Sequence, residues 1–122
     1  MFSKIVYIKM DKSALALAHV ESSRIVEIKS EVEFGNSRMV VSNFSILESC
    51  IKKGLDELNL NASLLKLGPK VLIHPFDTFP DGLSEVESIA LKQAALGAGA
   101  HLAYVYQGHA LELNQVKVNC RG

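Results

Sequence analysis

The chain has 122 residues, enough for one domain with one core, and 48% of them are hydrophobic. Its 13 basic and 13 acidic side chains cancel, so it carries no basic footprint of the kind that binds nucleic acid or anionic lipid. No run of about 20 apolar residues is present, which argues against a membrane-spanning helix.

The N-terminal stretch "MFSKIVYIKMDKS" is interrupted by charge every few residues and has no signal-peptide apolar core. Within it, "SKIVYIKM" sets Ile5 and Tyr7 against Val6 and Ile8, apolar on both faces, as a central strand requires. A polar turn at 11–13 leads to "ALALAHV", and a second turn, "ESS", leads to "RIVEIKSEVEF". In that last stretch Val26, Ile28, Val32 and Phe34 alternate with Glu27, Lys29, Glu31 and Glu33, which predicts a long third strand and a three-stranded meander. Asn43 is a predicted N-cap, its side-chain oxygen accepting from a helix N–H. Behind it Phe44, Leu47, Ile51, Leu55 and Leu58 recur at helical spacing, with Cys50 beside them and Gly54 as a weak point unless something packs closely on it.

"GPKVLIHP" reads as a turn, a buried strand and a proline stop. Ser84 and Glu87 form an S-x-x-E capping box opening a second helix, on which Val86, Ile89, Ala90, Gln93, Ala94 and Gly97 trace the predicted buried face. Gly99 is the predicted C-cap, "HLAYVY" the next strand, and "ELNQVKVNC" a weakly alternating edge strand. Strand, strand, strand, helix, strand, helix, strand predicts a single α/β domain over 1–122, with a mixed sheet of five strands, or six if the terminal segment joins it.

The stretch "EVESIALKQAALGAGA", 85–100, resembles the bacterial actin-like rod shape-determining proteins, the MreB-like family. Glu85, Val86, Glu87, Ala90, Ala94, Ala95, Leu96, Ala98, Gly99 and Ala100 match that family's pattern without gaps. "PKVLIHP" and "YVY" sit where its flanking strands sit. The resemblance covers the last third of the chain in sequence and the first third in element order alone. It implies a ribonuclease-H-like half-domain of the actin/Hsp70 type, strand order 3-2-1-4-5, and a setting in the cell-shape cytoskeleton.

The chain departs from that pattern where the family handles nucleotide. Its D-x-G-T-x-N phosphate turn falls on "KMDKSA", with Lys9 in place of the aspartate, Asp11 of the glycine, Lys12 of the threonine and Ala14 of the asparagine. A carboxylate then stands where backbone N–H groups would meet phosphate. The family's E-E-P is Gln107, Gly108 and His109. Glu87 matches the family's water-positioning carboxylate, although its place in the capping box accounts for it without chemistry. Lys9, Asp11, Lys12 and Glu87 are therefore read as vestigial nucleotide-site positions. No cofactor, no metal and no catalytic residue is expected.

Other chemistry is thinly represented. His19, His74, His101 and His109 have no zinc-ligand spacing, and Cys50 and Cys120 no metal or redox spacing, which suits a reduced cytoplasmic setting. His74, Asp77, Asp81, Gln107 and His109 fall near the carboxyl ends of parallel strands, the usual place for a ligand cleft. Met39, Val40 and Val41 lie outside any periodic element, and Val116 and Val118 share a face of the terminal segment. These five are the candidate partner contacts, and the terminal segment is the expected edge for pairing with a second copy. The expected function is a non-catalytic protein-interaction or scaffold module, homodimeric or bound to a protein partner. The alternative is an actin-like ATPase completed by a second chain.

Overall fold

The computed structural model describes residues 4–36, 41–60, 67–76, 82–109, 111–112 and 115–116. Five strands, β1 (Ile5–Met10), β2 (Ala14–His19), β3 (Arg24–Lys29), β4 (Lys70–Pro75) and β5 (Leu102–Val105), form one mixed sheet in the order β3-β2-β1-β4-β5. The first three pair antiparallel as a meander, and β4 and β5 add parallel to β1 through the helices α1 (Phe44–Glu57) and α2 (Glu85–Gly97). The α/β class, strand order and two helices are those expected from the sequence.

The strand period of two separates two apolar faces. Val6, Ile8 and Met10 of β1, with Leu15, Leu17, Ile28, Val71 and Ile73 of its neighbours, face both helices. Ile5 and Tyr7 point the other way, beside Ala18 and Leu72 of the neighbouring strands, and cluster there with Val20 and Val116. β1 is thus buried on both sides, as its unbroken apolar run requires.

Both helices end in a Schellman motif, a paired backbone closure that satisfies the last carbonyls. After α1, Asn59 at φ +59° donates to the Asp56 carbonyl (3.0 Å) and Leu60 to that of Leu55 (2.9 Å). After α2, Gly99 at φ +120° donates to Leu96 (3.1 Å) and Ala100 to Ala95 (3.0 Å), so Gly99 lies one residue beyond the cap, Ala98. Gly54 sits against the sheet: a Cβ there would lie 2.5 Å from Cδ2 of Leu17.

Several expectations are corrected. β3 stops at Lys29, because the Ser30 hydroxyl bonds Val32 on both its carbonyl (2.6 Å) and its N–H (3.1 Å), replacing the ladder with a local turn. Val32 is consequently exposed, while Phe34 is still fully buried. Asn43 occupies the N-cap of α1 without a side-chain cap bond; its Nδ2 donates instead to the Glu33 carbonyl (2.7 Å). On α1, Leu47, Ile51, Leu55 and Leu58 are buried but Phe44 is exposed.

α2 is rotated from the predicted face. Ala94 is buried as expected and Ala90 packs partly against the core, but Glu87, Leu91 and Ala95 also face inward, while Val86, Ile89 and Gln93 face solvent. Apolar residues occur all round this helix, so spacing alone does not choose a face. The small pair Ala94–Ala95 allows the close approach and decides it. The described part of the terminal segment is a helical turn, not a strand, with Gln115 and Val116 both donating to the Glu112 carbonyl (2.9 and 3.3 Å).

Candidate functional site

The carboxyl ends of β1 and β4 are where an open parallel sheet presents a ligand crevice. Here β1 runs into a tight turn, closed by a bond from the Asp11 N–H to the Ala14 carbonyl (2.9 Å) and braced by one from the Phe34 N–H to the Lys12 carbonyl (2.8 Å). The turn borders a shallow cleft of about 120 Å³, lined by Lys9, Asp11, Ala14, Ala16, Glu27 and Phe76. Ligand pockets usually enclose roughly 300–1,000 Å³. Lys9 and Asp11 therefore meet at one cleft, where Glu27 of the edge strand adds a second carboxylate to one ammonium.

Glu87 is not part of that lining. Its Oε1 accepts from the Ser84 N–H (3.1 Å) and its own N–H donates to Ser84 Oγ (3.1 Å), the reciprocal capping box read from the sequence. Among the described residues no group of three or more His, Cys, Asp or Glu side chains could hold a metal ion.

His74, near the carboxyl end of β4, has its ring buried, 1% exposed. Its Nε2 lies 3.0 Å from the Gly108 carbonyl and its Nδ1 2.6 Å from Tyr7 Oη. A carbonyl can only accept, so Nε2 carries the proton. Nδ1 is then bare and takes the Tyr7 O–H, while the Tyr7 oxygen accepts from the Leu111 N–H (3.2 Å). Every polar atom of the chain Leu111–Tyr7–His74–Gly108 has a partner. Phe76 and Tyr106 pack edge-on against the imidazole, at ring-centroid distances of 4.3 and 4.8 Å.

Burial pulls the His74 imidazole below its ordinary pKa, with the Gly108 carbonyl acting upward and the Lys9 charge downward again. Burial also pushes the Tyr7 hydroxyl up, against the Leu111 N–H and together with Tyr106. A neutral imidazole with both nitrogens engaged inside the protein is poorly placed to take a proton from a substrate. Tyr7 was missed as a site residue in the sequence. The signal was a hydroxyl in a strand apolar on both faces, which needs a buried partner.

The other residues expected at that sheet end are Gln107, His109, Asp77 and Asp81. Gln107 is exposed and its Oε1 accepts from the Leu83 N–H (3.1 Å); His109 is exposed; Asp77 and Asp81 lie outside the described residues. Val41 and Val116, read as partner contacts, are buried in the chain's own core, Val41 on the helix side and Val116 on the opposite side. Met39, Val40 and Val118 lie outside the described residues. Burial raises the Cys50 thiol, with Lys53 and a Ser30 hydrogen bond acting the other way, so Cys50 is not an activated nucleophile.

No protein-family model matches the chain, and no curated protein matches it. The described residues include no helix long and apolar enough to cross a membrane.

Proposed function

We propose that the chain is a non-catalytic protein-interaction or scaffold module of actin-like type, working in the cytoplasm as a homodimer or on a protein partner of the cell-shape cytoskeleton. The observation that carries the reading is the end of β1. Lys9 and Asp11 border a cleft of about 120 Å³ where the resembled family holds phosphate. The opposed charges and small volume favour loss of that role. The inward-turned His74, with both ring nitrogens engaged, supports the same conclusion for the neighbouring end of β4.

α2 offers a surface for contact that was not read in the sequence. Val86, Ile89 and Leu96 form one stripe of α2 and are 70%, 51% and 40% exposed. Large apolar side chains grouped on a solvent-facing helix favour an interaction surface. Calorimetry with ATP and Mg²⁺ is expected to show no binding; micromolar affinity would overturn the reading and favour an ATPase completed by a second chain. Sedimentation at low micromolar concentration is expected to show a dimer that Val86→Glu with Ile89→Glu converts to monomer. A dimer unaffected by that pair of changes would remove α2 from the interface.

A further inference from the structure

Both helices pack on one face of the sheet, and the chain's own C-terminal segment covers the other. Tyr106, Leu111 and Val116 of this segment pack with Ile5, Tyr7, Ala18, Val20 and Leu72. Three anchors hold it: the Gly108 carbonyl on His74 Nε2, the Leu111 N–H on Tyr7 Oη, and the fully buried side chain of Val116. The two polar anchors depend on one imidazole, because Nδ1 of His74, 2.6 Å from Tyr7 Oη, also sets the direction of the Tyr7 hydroxyl.

We propose that residues 106–109, 111–112 and 115–116 form an acid-released strap: a proton on His74 detaches them from the sheet and uncovers the apolar face beneath, while the helix-side core stays folded. This inference does not rest on the function proposed above.

The chemistry follows from the donors and acceptors. Once Nδ1 carries a proton it can no longer accept from Tyr7. The Tyr7 oxygen must then accept from both the ring and the Leu111 N–H, and its own proton loses the acceptor it has in the neutral state. At the same time a positive charge appears in a buried site. The groups facing it are Tyr7 and Lys9 from β1, Phe76 following β4, and Tyr106 and the Gly108 carbonyl from the strap. None of these carries a negative charge, and Lys9 carries a positive one, its Nζ 5.8 Å from the centre of the Tyr7 ring. Hydration of the imidazolium relieves both problems, and lifting the strap is the smallest movement that admits water. The β1 ladders to β2 and β4 and the packing of α1 and α2 make no use of these two anchors.

Amide hydrogen exchange of the whole chain, compared between pH 7.5 and pH 5.0 after correction for intrinsic exchange, tests the proposal. Protection of the Leu111 amide is expected to fall by up to about tenfold for each pH unit below the released-state value of about 6.5, until the lower folded-state pKa of His74 is reached, while the β1 and β4 amides keep theirs. His74→Gln offers a donor and an acceptor that do not titrate, and is expected to abolish the pH dependence. Leu111 protection that is independent of pH, protection lost together with that of β1, or pH dependence retained in His74→Gln would each overturn the strap. Should that variant not fold, the loss of Leu111 protection in the unaltered chain must level off at the pH where the His74 ring resonances titrate; a loss that continues below that pH overturns the proposal.

Discussion

Tyr7 and His74 show how a polar pair is retained inside an apolar strand layer. Tyr7→Phe keeps the ring and removes one oxygen, leaving Nδ1 of His74 and the N–H of Leu111 without their present partner. A stranded buried group costs roughly 1–3 kcal/mol, so the variant is expected to lose at least that much in urea unfolding. An unchanged midpoint would show that the pair holds nothing together. The same residues set a pH dependence. The folded-state pKa of His74 lies below the unfolded value of about 6.5. The unfolded chain therefore binds the proton first, and the stability contributed by neutral His74 is complete above that value and lost as pH falls below it. Stability that rises toward acid pH between 6.5 and 5 would contradict this. Gly54 carries a different lesson. Alanine there should gain up to about 1 kcal/mol of helix propensity, but overpacking a full core costs typically 1–3 kcal/mol. With Leu17 fully buried and only 2.5 Å from the new methyl, Gly54→Ala is expected to be destabilising, and Leu17→Val in the same chain to recover part of the loss. A stabilised Gly54→Ala would mean that Leu17 has room to turn.

The two helices were legible as elements to different degrees. For α1 the apolar residues occupy one stripe, and the residues read as buried are those buried, apart from Phe44. For α2 the capping box at Ser84 and Glu87 and the closing glycine were legible, because caps are local chemistry written in adjacent residues. Its inward face was not, because alanine is compatible with either side and Val86 and Ile89 mimic a core stripe. Two variants separate the faces. Leu91→Ala is expected to cost about 2–5 kcal/mol, as other buried leucines do. Ile89→Lys, compared at a concentration low enough that both chains are monomeric, is expected to stay within about 0.5 kcal/mol of the unaltered chain. Equal losses measured by chemical denaturation would place Ile89 in the core after all. Ser84→Ala should cost about 1 kcal/mol through the lost cap, without changing the burial of Leu91.

At the scale of the molecule, the sheet needs cover on both faces and the two helices supply only one. Val116 helps to cover the other, so deletion of residues 114–122 is expected to lower the melting temperature; loss of one fully buried valine side chain alone corresponds to roughly 1.5–3 kcal/mol. Identical melting curves would make the segment dispensable to the fold. The sequence by itself determined the α/β class, the order of elements, the strand order through its resemblance, and the α2 cap. These depend on period, on turn chemistry and on residues a few positions apart. The tertiary structure alone decided three things: which side of α2 is buried, that Val41 and Val116 belong to the core and not to a partner surface, and that His74 is turned inward onto Tyr7, 67 positions away in the chain. Each is settled by contacts between distant segments competing for the same space, and neither the spacing of residues along a strand nor their type records the outcome of that competition.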